Sequence, residues 1–597
     1  MTTTPPPAQP EENNAHTHPL FTRAVRMHRP SLLKDPTTLF SEKVSSEQSS
    51  VYALLKPPFI AAQHMQASEP IACASSFPDS DVSVIPSFDV EEVPADQQLT
   101  WLIPAVATLE RLKKMPSIIS EDGNPMALLS KLIKDSGIYA IASCLSPLLS
   151  LFVSPFLAHH LTYMDYGMLI LLNTTIALLA GLSQCGLGSA FVQIYHRVDT
   201  SRETQRRVLT TVCLLMFMLS CACLLIIACA ASEIARWLLH NSAYASVVRI
   251  AASVLFIQNF VVPTLALLRA ERRANLFCLL SVLNLLVAAG LTYVLVGILQ
   301  WGSSGALLAV GGGSLCVGIC QLPIIWRRAR FCLDWKIIKE LFVFGLSTVP
   351  GFLAVWILQL SDRYFLSWLG FLSQTAGYGV AYTLGNVLGP LVIMPFSLAW
   401  YSTMYGIARR TNASTIFCFV FRWYCLALLF CAFFVALFAN DVLTWMFPPA
   451  YASAEMIIPF IALANVFYGL FELFMVGVLL REKVRFTILF LPLAAVVHIA
   501  LNCLLIPNYG IVGAAISTLV AYLLLACVAY FVNQRIYPLP FEIGLFGLAL
   551  CLGIVWYIGA MLLLRGQSVV MHWIILGGIG CLYGGILFLL GHIPAKK

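Results

Sequence analysis

From about residue 137 to the C terminus, long apolar runs alternate with short polar breaks. A helix needs about 20 predominantly apolar residues to cross a bilayer. Fourteen stretches meet that length: 137–158, 167–193, 208–232, 247–268, 276–299, 305–326, 341–361, 376–401, 416–439, 456–479, 487–505, 511–532, 543–563 and 570–590. Breaks such as Gln300 to Ser304 and Ile506 to Gly510 are so short that the flanking helices must pack antiparallel. Residues 126–134 are amphipathic, with Leu128, Leu129, Leu132 and Ile133 against Lys131 and Lys134, which predicts a helix lying at the interface ahead of the first span. Residues 1–125 carry no sustained apolar period and are rich in Pro, Ser, Thr and Gln. Such a stretch buries too little surface to offset its ordering entropy, so it reads as a disordered cytoplasmic extension. It also has no basic-then-apolar signal-peptide pattern.

The basic residues orient these spans. Beyond Pro125 there are 27 Lys and Arg residues, and 22 of them fall in one alternating set of breaks. That set includes Arg206 and Arg207, Arg272 and Arg273, Arg327 and Arg328, Lys336 and Lys339, Arg409 and Arg410, and Arg481 and Lys483. The other set holds only Arg236, Arg249, Arg363 and Arg565, and Arg422 lies within a span. Basic residues in short loops stay on the cytoplasmic side. The expected placement is a multi-pass protein of the cytoplasmic membrane with both ends of the membrane domain inside.

Composition agrees with this picture. The chain is 59% hydrophobic, only 11% charged, and has a mean hydropathy of +0.83. Soluble domains carry about 25% charged residues. The net charge of +7 comes from the inside loops, so no basic face is left for a nucleic acid. Nearly all of the 18 Cys lie in apolar stretches, as small hydrophobes do, with no Cys/His metal spacing.

The first twelve spans read as two copies of six. Leu268-Arg269 closes the fourth span and Leu480-Arg481 the tenth, 212 residues later; Tyr166-Gly167 and Tyr378-Gly379 open the second and eighth at the same offset. Gly302 to Ala306 and Gly510 to Ala514 start the sixth and twelfth, 208 apart. Six is even, so the copies share one orientation and are related by a pseudo-twofold along the membrane normal. The expected organisation is all-α: 126–330 as one lobe, 331–535 as the second, and 536–597 as two extra spans and a tail. Gly580 with Gly584, and Gly385 with Gly389, have the four-residue spacing that lets helix backbones pack closely.

Several short runs then point to a family. They are Asp165-Tyr166-Gly167, Phe344-Gly345-Leu346-Ser347 with Pro350, Asp362-Arg363, Gly377-Tyr378, and Pro507-Asn508-Tyr509-Gly510-Ile511-Val512-Gly513-Ala514-Ala515. In order and spacing, from about Leu132 to Leu590, the chain resembles the polysaccharide-biosynthesis, O-antigen-type flippases of the multidrug/oligosaccharidyl-lipid/polysaccharide exporter superfamily. The resemblance implies transfer of a polyprenyl-diphosphate-linked oligosaccharide across the cytoplasmic membrane by alternating access. Its partners would be that lipid, the bilayer, H+ or Na+, and a glycan polymerase or glycosyltransferases, with no nucleic acid, no cofactor and no metal. A sugar headgroup cannot enter hydrocarbon without losing its hydration, so such a protein needs a polar cavity between its lobes. The alternatives are a drug or organic-cation antiporter of the same superfamily, and a membrane-embedded glycosyltransferase or ligase. No nucleophile–base arrangement or paired acidic motif supports the latter, and a non-enzyme is expected.

Ionisable side chains inside spans cost about 2.5–3.5 kcal/mol on insertion scales and are therefore the candidates for function. They are Arg249, Asp362, Arg363, Arg422, Glu472 and His498. Asp362 and Arg363, read at the outer end of the seventh span, could hold a diphosphate through the guanidinium fork or pair locally. Arg249 could reach substrate or snorkel, and snorkelling is the reading for Arg422. Glu472 and His498 are the expected coupling pair, a carboxylate for Na+ or H+ and an easily titrated imidazole, with interhelical hydrogen bonding as the alternative. Asn173, Asn259, Asn284, Asn386 and Asn502 are polar residues within spans that hydrogen-bond a neighbouring helix or contact a sugar, and Asn386 is the substrate-binding candidate among them. Pro350, Pro390 and Pro395 mark spans that could bend.

Overall fold

The structure, a computed structural model, describes residues 149–197, 202–271, 273–328, 334–483, 486–564 and 569–592. The expected extension over 1–125 and the interfacial helix over 126–134 lie outside them. Among the described residues there are helices and no strand. Twelve of these helical stretches are long and apolar enough to cross a membrane. One of the twelve, Leu489–Ile536, is 48 residues long and contains the expected eleventh and twelfth spans. It cannot be straight, because His498 and Thr518 both hydrogen-bond the Asp362 carboxylate at 3.2 Å. In an unbroken helix those 20 positions would lie about 30 Å apart. The reversal falls at Gly510, whose φ of 56° and ψ of −131° suit a residue without Cβ. The G510A variant is expected to lose about 2 kcal/mol from that strain alone, read as a lowered unfolding midpoint in detergent. The first expected span is described from residue 149, where 149–160 are helical.

The local chemistry explains the other boundaries. Thr162 caps the second span by accepting from the Asp165 amide, while its hydroxyl donates to the Asp165 carboxylate at 2.7 Å. Asp165 thus stabilises the positive end of that helix. The second span breaks at Cys185 and Gly186, both in the left-handed region, and resumes as Leu187–Arg197. In the eighth, a π segment at Gly389–Ile393 separates Gln374–Gly385 from Met394–Ala408, where Pro390 and Pro395 disturb the ladder. The seventh span does not stop at residue 361 as expected. It bends at Ser361 and continues as Asp362–Trp368, because that turn keeps packing against the second and eleventh–twelfth spans. Asp362 therefore lies about 9 Å below the helix end rather than at it.

Contacts between helix ends obey the alternation of basic loops. Tyr195 and Arg328 meet Glu271 across the ends of the second, sixth and fourth spans, and Arg481 lies 5.6 Å from the Tyr537 ring centroid. All of these belong to the basic set. At the opposite end, His240 meets the Ser367 carbonyl at 2.9 Å and His572 meets Asp441 at 2.9 Å.

The pairings of helices recur in the two copies. The fourth span packs on the third and sixth, and the tenth on the ninth and on the eleventh–twelfth hairpin. The second and eighth spans cross at the opposite end, where a Cβ on Gly167 would come 2.7 Å from the Leu372 carbonyl and Gly379 faces Ile170. Two positions matched by the 212-residue offset thus both lie in this crossing, each against the other span. Seen from the opposite end the two copies are in contact, with Tyr364 also donating to Thr175 at 2.7 Å.

The extra thirteenth and fourteenth spans dock on the ninth. Gly584 sits under Phe430 and Gly580 under Phe434. Arg422 corrects its sequence reading: it does not snorkel, being 9% exposed. Its Nε donates to Glu542 at 2.6 Å, Nη2 makes a second bond to that carboxylate, and Nη1 reaches the Gly591 carbonyl at 3.2 Å. A forked guanidinium fits that carboxylate in a way lysine cannot. Removing one partner strands the other charge, so R422A is expected to cost about 3 kcal/mol, while R422M/E542M restores most of it. Unfolding midpoints of the three proteins check this.

Candidate functional site

The second copy holds two buried polar clusters. The first surrounds Asp362, which is 0% exposed. It accepts from the Tyr378 hydroxyl of the eighth span and the Thr518 hydroxyl of the twelfth. His498 of the eleventh, also 0% exposed, approaches Asp362 with Nε2 at 3.2 Å, and Asn502 lies one turn away against the same nitrogen. His498 Nδ1 is buried without a partner. Arg363 closes the cluster, with its guanidinium 4.6 Å from the Tyr382 ring centroid and Nη1 donating to the Gln359 carbonyl at 2.9 Å. A carboxylate, an imidazole and a guanidinium sealed from water can persist only as a mutually neutralising set.

The second cluster surrounds Glu472 on the tenth span. Its carboxylate accepts from Tyr401 of the eighth and from Tyr468 one turn earlier on its own helix. Tyr424 of the ninth is close by. Glu472 lies eight residues before Leu480, about 12 Å from the basic end.

A cavity of about 150 Å3 lies between the first and eighth spans. Ser150 and Leu151 form one wall, and Tyr382, Thr383, Asn386, Val387, Pro390 and Leu391 the other. It borders the π segment of the eighth span. A second hollow of about 300 Å3, lined mainly by Trp237, Trp356, Tyr364, Phe365 and Trp368, is almost wholly apolar.

The six candidate residues are thus distributed over different places. Asp362, Arg363 and His498 come together. Glu472 and His498 do not pair, because the tenth span directs Glu472 to Tyr401 while the eleventh directs His498 to Asp362. Asn386 is on the cavity wall. Arg249 is exposed on the fourth span, away from both clusters. Arg363 is packed beneath Tyr382, where a diphosphate does not reach it in this conformation. The sequence reading missed the tyrosines Tyr378, Tyr382, Tyr401, Tyr468 and Tyr522, since within an apolar span tyrosine reads as an aromatic core residue. Their clustering on the eighth, tenth and twelfth spans was the available signal. Among the described residues no group of three His, Cys, Asp or Glu could hold a metal ion.

The chain is similar to known proteins over part of its length. Residues 132–406 match the model of a family described as polysaccharide biosynthesis protein. An uncharacterized membrane protein of Methanocaldococcus jannaschii is 24% identical over 209 residues, which is 34% of this chain and 40% of that relative. The chain thus spans about two fifths of that relative's length. Among solved structures, the lipid II flippase MurJ in an inward closed conformation superposes with a TM-score of 0.62 at 13% identity, covering 77% of this chain and 98% of that one. A multidrug resistance MATE family transporter of the MOP superfamily, outward-facing, gives 0.51 at 16% identity over 69% and 96%. At these identities the likeness is one of fold. It is the fold of polytopic helical transporters, in agreement with the motif resemblance.

Proposed function

We propose that this protein flips a polyprenyl-diphosphate-linked oligosaccharide across the cytoplasmic membrane, with its termini in the cytoplasm. The observation that carries the reading is the polysaccharide-biosynthesis family match, which runs through the first copy and into the eighth span. That range takes in all the residues lining the cavity between the copies. In this reading the headgroup passes between the first, second, seventh and eighth spans while the lipid tail stays in the bilayer. Asn386 is the residue placed to meet the sugar. In this conformation the lobes touch toward both ends, Gly167 against the start of the eighth span on the outer side and Gly186 against Gly345 toward the basic end. Alternating access then opens these two crossings in turn. The protein acts as a transporter rather than an enzyme, delivering substrate to a glycan polymerase or glycosyltransferases.

A drug or organic-cation antiporter is the second reading, favoured by the likeness to MATE transporters. Deletion of the gene tests both. The flippase reading expects lipid-linked oligosaccharide to accumulate in the inner leaflet with cationic-dye efflux unchanged. Loss of dye efflux with normal lipid-linked glycan would reverse that choice.

A further inference from the structure

The two buried acids lie at different heights in the same lobe, and tyrosines bridge the gap between them. Tyr468 hydrogen-bonds Glu472, and its ring centroid lies 5.4 Å from that of Tyr522. Tyr522 and Tyr382 are hydrogen-bonded through their hydroxyls. Tyr382 is 6.1 Å, ring to ring, from Tyr378, which donates to Asp362. Toward the basic end, Tyr401 meets Glu472, and Tyr405, one turn further along, donates to the Leu479 carbonyl at 3.5 Å.

We propose that this line is a proton relay, and that the second lobe moves a proton between Glu472 and the Asp362–His498 pair during transport. The inference rests on the flippase reading for its purpose, since the relay is what would couple lobe movement to a proton gradient. Three of the five steps are hops along hydrogen-bonded oxygens, and the other two pass through a bridging water. The Glu472 carboxyl gives its proton to the Tyr468 oxygen as Tyr468 releases its own onward, and so on to Asp362. At every hydroxyl one O–H bond breaks and one forms, so the tyrosines end neutral and only one proton has moved. Two links, Tyr468 to Tyr522 and Tyr382 to Tyr378, are ring contacts, and the relay requires a water to bridge the hydroxyls at each. Tyr382 lines the 150 Å3 cavity, which has room for a few waters at about 30 Å3 each.

The surrounding charges favour a proton over a metal cation. The Asp362 carboxylate is already occupied by two hydroxyls and the imidazole, and Arg363 lies against the Tyr378 and Tyr382 rings. A metal ion would have to displace His498 and sit beside a guanidinium. A proton needs neither, and the buried Nδ1 of His498 has no partner. Glu472 faces the hydroxyls of Tyr401 and Ser397 from the eighth span, Tyr424 from the ninth and Tyr468 from its own helix.

The test uses the full chain in vesicles of phosphatidylethanolamine and phosphatidylglycerol on a solid-supported membrane, with no lipid-linked sugar present. An acid jump should give a transient current in the wild type, and a sodium jump at constant pH should give none. Y468F and Y522F keep the rings and remove the links, and each should slow that current by about tenfold or more. E472Q should abolish it, while Y293F, on the exposed face of the fifth span, should match the wild type. Wild-type currents in both Y468F and Y522F would overturn the relay, as would a sodium current equal to the proton one. Unfolding midpoints identify a variant that fails to fold, and the other tyrosine then decides. Because no glycan enters the assay, a relay that conducts in a protein unable to flip glycan refutes the flippase reading alone. A protein that flips glycan without proton current refutes the relay alone.

Discussion

Replacing Asp362 with alanine is expected to abolish transport and to lower stability by about 3–5 kcal/mol, the usual cost of removing one member of a buried charge pair. The cost is high because four groups lose their partner together. Tyr378 loses the carboxylate that accepts from its hydroxyl, Thr518 is left with the Ala514 carbonyl alone, His498 loses the carboxylate that holds its ring, and Arg363 loses the adjacent countercharge. D362N separates the two effects. Its amide oxygen still accepts from the hydroxyls, and its amide group can donate to His498 once the imidazole proton moves to Nδ1. The stability loss should then fall to about 1–2 kcal/mol, while transport stays lost because the asparagine cannot ionise. Unfolding midpoints in detergent alongside transport in vesicles measure both. A D362N protein that transports normally would remove Asp362 from the mechanism.

The second large effect is expected where the two lobes cross at the second and seventh spans. Gly186 has a φ of +66°, and a Cβ there would run into the Gly345 carbonyl and the Thr348 hydroxyl. A Cβ on Gly345 would meet the Cys185 carbonyl in turn. G186V combines backbone strain of about 1–3 kcal/mol with overpacking of similar size, and the Gly345 carbonyl cannot yield because it is main chain. G345V meets the clash without the positive φ and should cost about half as much. Both should separate the lobes at this crossing and leave little folded protein. Yield and unfolding midpoint, compared with G290A where a Cβ meets open space, provide the measure.

How far these features could be read from the chain depends on how local their causes are. Span positions follow from apolar length alone, so the sequence and the structure agree within a few residues for most of them. The motif glycines were visible, and three have a local reason: Gly345 lets the seventh span's main chain touch that of the second, Gly167 lets the eighth span approach, and Gly510 turns the chain, whereas Gly186 opposite Gly345 stood in no motif. The ionisable residues within spans were visible as well, because charge in an apolar run stands out. Their partners were not. Asp362 and His498 are 136 residues apart, and Glu472 reaches Tyr401 across 71. Spacing within one helix carries no information about such contacts. Arg422 is the instructive case. Its partner Glu542 stands one residue before the thirteenth span, among loop residues, so nothing in the ninth span indicated that the charge was neutralised. The seventh span was read one turn or more too short because Asp362 and Arg363 look like a helix end. Burial of the pair by three other helices is what allows the helix to continue through them.

The central claim is that the two lobes pass a lipid-linked oligosaccharide from one leaflet to the other. The most direct test places the purified full-length chain in vesicles with a short undecaprenyl-diphosphate-linked oligosaccharide in both leaflets and follows its exposure to an added glycosidase. The account predicts that protein-containing vesicles lose nearly all of the glycan to the enzyme, whereas D362N and protein-free vesicles stop at the outer half. Wild-type vesicles that also stop at half would contradict it.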